Sequence, residues 1–273
     1  MRMKFGQKAQ FFLAGILMTA GCAGRQVEYI AHRGASYEVP ENTLSAVRRA
    51  WEVGADAVEV DVHLTADNRL AVIHDKDTRR TAGVDWQVSQ KTLRELQSLD
   101  VGRWKAERFA GERIPTLEEV LDLVPPGKRL FIEIKCKGEI LPFLEKAVSE
   151  SGKRAQVVLI CFDPDVLVQC KQQMPDIPAY WLVGTEKDKN TGKPVPHSAQ
   201  LLSAVREKSL DGLDVHYEGL CEDFVKAARK AGQDLYVWTV DTSETANRLI
   251  QWGVKGITTN RPDLLENLSA AQP

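Results

Sequence analysis

Val27-Glu28-Tyr29-Ile30-Ala31-His32-Arg33-Gly34, followed shortly by Pro40-Glu41-Asn42-Thr43, decides how the rest of this chain is read. The apolar run from Val27 predicts a strand over Tyr29 to Arg33, and Thr43 opens a helical pattern that continues to Val53. A strand that delivers a histidine and an arginine at its exit, just ahead of a helix, is how enclosed α/β folds place their chemistry at strand ends.

The unit then recurs along the chain. Strand patterns cover Ala57 to Val62, Leu130 to Lys135, Val157 to Phe162, Ala179 to Val183, Gly212 to His216, Leu235 to Val240 and Gly256 to Thr259. Helical patterns alternate with them at Thr116 to Leu123, Leu141 to Glu150, Pro164 to Gln173, Ser198 to Lys208, Glu222 to Lys230 and Ser243 to Trp252. Gly54, Gly152, Gly232 and Gly253 stand where helices should end. Eight strands in this alternation predict an α/β fold of the TIM (β/α)8 barrel type.

A ninth apolar run, Leu70 to His74, breaks the alternation. Only Thr65 to Arg69 separates it from the strand ending at Val62, too short a link for a parallel crossover, so it must fold back as an antiparallel β-hairpin arm. A turn centred near Ala66 and Asp67 would set His74 opposite Glu59 and Val72 opposite Asp61. Residues 75–114, with Arg79-Arg80-Thr81-Ala82-Gly83, a helix around Thr92 to Leu96, Trp104 and Phe109, form a small insertion expected over the barrel mouth.

The amino terminus has a different character. Arg2, Lys4 and Lys8 precede an apolar stretch, Phe11 to Ala20, too short for a comfortable membrane span, and Thr19-Ala20-Gly21-Cys22 is a small-residue cleavage pattern ending in cysteine. Residues 1–21 resemble a bacterial lipoprotein signal, with Cys22 the lipid-modified first residue of the mature chain. An ordinary secretory signal, or an uncleaved anchor with an incidental Cys, is the alternative; either way the protein is expected to be exported, to the periplasmic or cell-surface side of a membrane or into the medium. Residues 22–273 are then one domain, close to the ~250 residues usual for such a barrel. The remaining cysteines, Cys136, Cys161, Cys170 and Cys221, lack metal-ligand spacing, though Cys136 and Cys161 close neighbouring strands and leave a disulfide open. A net charge of −2 with interspersed signs argues against a nucleic-acid partner.

Glu59 and Asp61 are two apart on a strand and so share a face, while Glu133 ends the neighbouring barrel strand. Three carboxylates converging on one mouth repel unless neutralised. A hard divalent cation with oxygen ligands would neutralise them; pairing with Arg33 and Lys135, or solvation, is the plainer alternative. His32 and His74 are the acid–base candidates, because imidazole titrates nearest neutral pH. Arg33 and Lys135 bring fixed positive charge to the same place, Arg33 ranking first as an anion contact because its fork can grip two oxygens. Glu41 and Asn42 are expected to shape the first loop and cap the helix at Thr43.

His32-Arg33-Gly34, Pro40-Glu41-Asn42-Thr43, Glu59-Val60-Asp61-Val62-His63, His74-Asp75 and Glu133-Ile134-Lys135 together resemble the glycerophosphodiester phosphodiesterase family, from Tyr29 to Pro262. The resemblance implies Ca²⁺ or Mg²⁺ on Glu59, Asp61 and Glu133, proton transfer by His32 and His74, and an active-site wall from Trp238, for which core packing alone is the alternative. We expect His32 to accept and His74 to donate. The implied reaction hydrolyses a small glycerophosphodiester to glycerol 3-phosphate and an alcohol. Lysophospholipids or envelope polymers containing glycerol phosphate are the alternative substrates, and a non-catalytic binding lipoprotein is the rival of another class. Retention of both histidines and all three acids speaks against that rival.

Overall fold

The structure is a computed structural model that describes residues 27–264. The leader over 1–21 and the lipidation expected at Cys22 lie outside the described residues. In chain order the elements are β1 (Glu28–His32), α1 (Leu44–Glu52), β2 (Ala57–Leu64), β3 (Leu70–Val72), α2 (Arg79–Ala82), α3 (Leu93–Leu96), α4 (Leu117–Asp122), β4 (Arg129–Ile134), α5 (Leu141–Glu150), β5 (Val157–Cys161), α6 (Pro164–Gln173), β6 (Ala179–Val183), α7 (Gln200–Glu207), β7 (Gly212–His216), α8 (Glu222–Lys230), β8 (Asp234–Trp238), α9 (Ser243–Trp252) and β9 (Gly256–Thr259). Among the described residues β1, β2 and β4 to β9 pair in parallel and in sequence, and β9 returns to β1, closing an eight-stranded barrel. β3 is the exception, hydrogen-bonded antiparallel to the outer end of β2.

The period of two decides what each strand residue faces. On β2, Val58, Val60 and Val62 join the apolar layer between barrel and helices, while Ala57 belongs to the barrel interior and Glu59, Asp61 and His63 share its side. The interior is filled by Ile30, Phe131, Val158, Ile160, Tyr180, Leu182 and Tyr236, with Phe131 edge-on to Tyr236 at 5.2 Å between centroids. At the amino-terminal end Arg129 pairs with Glu28 at 3.3 Å, and Tyr236 donates to the same carboxylate at 3.0 Å. These contacts close that end, and the carboxyl ends of the strands are left for chemistry.

Local signals set the helix ends. Thr43 accepts from the Ala46 amide and caps α1, and Gly253 ends α9 at φ +89°. Glu41 and Asn42 do not share the capping expected of them; their side chains turn into the mouth, as described below. Gly34 has no alternative: besides φ +79°, a Cβ there would lie 2.5 Å from the backbone carbon of Ala46.

The hairpin forms, but its register is displaced by one residue from the sequence expectation. Val72 pairs with Val62 and Leu70 with Leu64. The reason is the turn: Thr65 donates to Arg69 O at 3.0 Å around a loop of Ala66, Asp67 and Asn68, with Asn68 left-handed at φ +58°. Strict alternation would now carry His74 to the outer face. The strand instead ends at Val72, Ile73 donates to Asp61 O at 3.0 Å, and His63 Nε2 donates to His74 O at 3.1 Å. This pinning leaves the His74 imidazole close enough to act electrostatically on Asp61.

The insertion packs on the hairpin through a small separate core, Ala71 and Ile73 with Val88, Leu93, Leu96, Val101 and Ile114. Its helix α3 is secured by a capping box between Thr92 and Glu95. Lys105 reaches Ser36 O at 2.7 Å, in the loop after β1. Cys136, Cys161, Cys170 and Cys221 are free thiols. No Cys136–Cys161 bridge forms; Cys161 Sγ donates instead to Ile134 O at 3.2 Å, and burial pushes this thiol up to about 12.

Candidate active site

Register builds the site. His32 lies opposite Glu59 across β1 and β2, and Asp61 lies opposite Glu133 across β2 and β4. Carboxylate oxygens of Glu59, Asp61 and Glu133 therefore lie within 4.8 Å of one another, all three residues being buried. Glu59 Oε1 and Asp61 Oδ1 are buried without a hydrogen-bond partner. Orphaned hard oxygens at this spacing fit a divalent cation of the Ca²⁺ or Mg²⁺ type.

The charges around the acids differ. Burial would raise Asp61, but Arg33, Lys135, His74 and the Asn42 amide outweigh it and hold the carboxyl below its usual range. Glu59 is driven well up by burial, Asp61 and Glu133. Glu133 is raised to about 7 by burial and by Asp61, against the pull of Lys135. Arg33 Nε sits 3.2 Å from Asp61 and its NH1 2.9 Å from Glu41, while its backbone N–H donates to Glu59 at 2.9 Å. Lys135 Nζ is 2.7 Å from Glu133 and 3.5 Å from Asp61. Both cations are thus paired with acids.

His32 has a defined tautomer. Asn260 donates its amide to Asp241 at 2.7 Å, which turns its carbonyl oxygen to His32 Nδ1, also at 2.7 Å. Nδ1 therefore carries the proton and Nε2, 3.9 Å from Glu59, is the basic nitrogen. Burial and Arg33 lower this imidazole to about 4, so it is uncharged at neutral pH. His74 Nδ1 donates to Asp75 at 2.7 Å, which puts the lone pair on Nε2. Trp238 is half-buried, its Nε1 donating to Asp214 O at 3.1 Å, with His216 edge-on at 5.0 Å and Phe162 at 5.6 Å.

Sequence reasoning left most of the supporting residues unassigned, a supporting role for Glu41 being only its minority reading. Asn42, left-handed at φ +56°, holds Asp61 by donating Nδ2 to Oδ2 at 2.7 Å and accepting the Asp61 amide at 3.2 Å. Glu41 bridges Arg33 and Arg80. Adjacency to His74 could have flagged Asp75. No local signal marks Asn260 or Asp241, which barrel closure brings to β1.

Asp214, on β7 opposite Leu182 and Tyr236, was also missed. Its Oδ1 is buried without a hydrogen bond, and burial, reinforced by Glu133, holds the carboxyl well above its ordinary range. The folded protein keeps this proton while the unfolded chain loses it above about pH 3.9. Stability linked to Asp214 is therefore present below that pH and lost as pH rises toward the folded value. Asp214→Asn is expected to be more stable than the parent at pH 8 and indistinguishable from it near pH 4. Thermal unfolding across that range checks this; a constant difference would contradict it.

Residues 32–264 match the model of the glycerophosphoryl diester phosphodiesterase family. A glycerophosphodiester phosphodiesterase of Caldanaerobacter subterraneus subsp. tengcongensis is 38% identical over 245 residues, covering 88% of this chain and 96% of that relative. One from Bacillus subtilis is 30% identical over 265 residues, covering 88% and 85%. Among solved structures, a glycerophosphodiester phosphodiesterase of Thermotoga maritima aligns with a TM-score of 0.72 at 28% identity, covering 89% of this chain and 98% of that one. An Oleispira antarctica phosphodiesterase in complex with the product sn-glycerol 3-phosphate shares the fold at a TM-score of 0.81 and 24% identity, covering 89% and 97%.

Proposed function

Because the chain belongs to the glycerophosphodiester phosphodiesterase family, and so is a phosphoric diester hydrolase, we propose that it cleaves small glycerophosphodiesters to glycerol 3-phosphate and an alcohol by general acid–base catalysis. The observation that carries this reading is the meeting of His32, His74, Arg33, Lys135 and three buried acids at one barrel end. His32 Nε2 takes the proton of the attacking hydroxyl, either a water or the substrate's own neighbouring hydroxyl. His74 Nε2 gives a proton to the departing alcohol oxygen. Arg33 and Lys135 offset charge on the phosphoryl oxygens, and their pairing with Glu41, Asp61 and Glu133 holds them in place beforehand. Glu59, Asp61 and Glu133 would hold a divalent cation that polarises those oxygens. Trp238 walls the active site.

The test is enzyme-coupled detection of glycerol 3-phosphate from a panel of diesters, with and without chelator. Release of the phosphorylated alcohol with free glycerol would reject the proposed cleavage. A lysophospholipid is the second reading, favoured by Phe162 and Trp104, large apolar side chains left 48% and 40% exposed, after β5 and in the insertion beyond α3. It belongs in the same panel.

We further propose that residues 1–21 are a lipoprotein signal and that Cys22 carries the anchor, supported by the small-residue pattern Thr19-Ala20-Gly21-Cys22 behind an apolar run. Among the described residues no helix is long and apolar enough to cross a membrane. A Cys22→Ala precursor should lose lipid labelling and membrane retention. Retention with an uncleaved leader would point to a plain anchor.

A further inference from the structure

Arg80 belongs to the insertion, on α2, and its side chain is 42% exposed, yet every guanidinium nitrogen is engaged. Nε donates to Asp75 Oδ2 at 2.7 Å. NH1 and NH2 donate to the two oxygens of Glu41, each at 2.8 Å. Beyond Asp75 stands His74, whose Nδ1 donates to Asp75 Oδ1 at 2.7 Å. Beyond Glu41 stands Arg33, whose NH1 donates to Glu41 Oε1 at 2.9 Å. The Trp104 ring lies 5.8 Å from the guanidinium carbon, so the insertion also flanks one face of the fork.

A half-exposed arginine usually contributes little through a single ion pair. Here one rigid fork spans two carboxylates that are separated by 34 positions in sequence, Glu41 and Asp75, and each carboxylate passes its orientation to a different mouth residue. Burial would raise both acids, but hydrogen bonds from Arg80 with His74 or Arg33 bring both below their usual range, so both stay ionised acceptors. With its donors spent on carboxylates, Arg80 is not itself poised to grip a phosphate.

We infer that Arg80 is a positioning residue that couples the insertion to both sides of the reaction, orienting the proton donor His74 through Asp75 and the phosphate contact Arg33 through Glu41. This rests on the proposed roles of His74 and Arg33. The two arms have different kinetic signatures. Misplacing His74 hinders protonation of the leaving alcohol and so lowers kcat only where the leaving group is poor. Misplacing Arg33 weakens a hold on the phosphate that is made in the bound diester and kept in the transition state, and so raises KM for any diester.

The test compares Arg80→Ala, Arg80→Lys and His74→Ala on a glycerophosphodiester and on a nitrophenyl phosphodiester. Arg80→Ala should lose roughly 10- to 100-fold in kcat on the natural diester, the range typical of a residue that supports a functional ligand, and raise KM on both substrates. Its kcat should approach the parent's on the nitrophenyl diester. Soluble guanidinium should restore part of the loss. Arg80→Lys keeps the charge but cannot fork between two acids, and should recover only one arm. Equal kcat loss on both substrates with unchanged KM would overturn the inference in favour of a merely structural arginine. If Arg80→Ala does not fold, Arg80→Lys decides by the same comparison. If His74→Ala itself gains nothing on the nitrophenyl diester, the donor role of His74 is what fails, and the KM rise in Arg80→Ala then decides the Glu41–Arg33 arm alone.

Discussion

Removing divalent metal with a chelator is expected to abolish glycerol 3-phosphate release, and adding Ca²⁺ or Mg²⁺ back to restore it. Glu59, Asp61 and Glu133 offer oxygens within 4.8 Å of one another in a buried site. Two like charges about 4 Å apart repel by about 4 kcal/mol even at an effective dielectric of ~20. Arg33 and Lys135 offset this for Asp61, but Glu59 and Glu133 respond by holding protons, Glu133 up to about 7. A cation must displace those protons, because it binds carboxylates and not carboxylic acids. Affinity should therefore weaken as pH falls below about 7, with protons released on binding. Calorimetry in two buffers of different ionisation enthalpy measures that release. Glu59→Gln should lower metal affinity by more than the ~10- to 100-fold typical of a residue that only supports a ligand. Full turnover in chelator, with no metal by elemental analysis, would remove the cation from the reaction.

His32→Ala and His74→Ala should each lower turnover by roughly 10² to 10⁴, the usual contribution of a general acid or base. Metal content and the melting temperature should stay near those of the parent, since both imidazoles sit at the mouth, 17% and 30% exposed in their side chains. The two losses should combine sub-additively, because both residues serve one proton-transfer cycle. Leaving-group dependence separates their roles. A nitrophenyl phosphodiester needs little protonation on departure, so it should rescue His74→Ala and leave His32→Ala impaired. In His32 the Asp241–Asn260 chain keeps the proton on Nδ1 and the lone pair on Nε2, as a base requires. Rescue of His32→Ala alone would reverse the roles, and near-normal turnover on natural diesters in either variant would excuse that histidine.

Periodicity in the sequence was sufficient for the barrel and for the facing of its acids. A residue's face follows from counting by two along its own strand, so Glu59 and Asp61 had to point together, and the short link Thr65 to Arg69 had to make a hairpin. Such local rules could not settle the hairpin register, because Asn68 in a left-handed turn makes the loop odd in length and moves every pairing by one. Nor could they find the partners that tune the site. Asn260 orients His32 from 228 positions away only because closure sets β9 beside β1, and Arg80 joins Glu41 to Asp75 only because the insertion folds back over the loop after β1. Asp214 carries no mark in sequence either; its displaced proton equilibrium comes from the apolar interior around it. Strand position and side-chain chemistry are properties of the local chain, and they were readable. Tautomer, proton affinity and the orientation of each charge depend on neighbours at long sequence separation, and only the closed barrel supplies them.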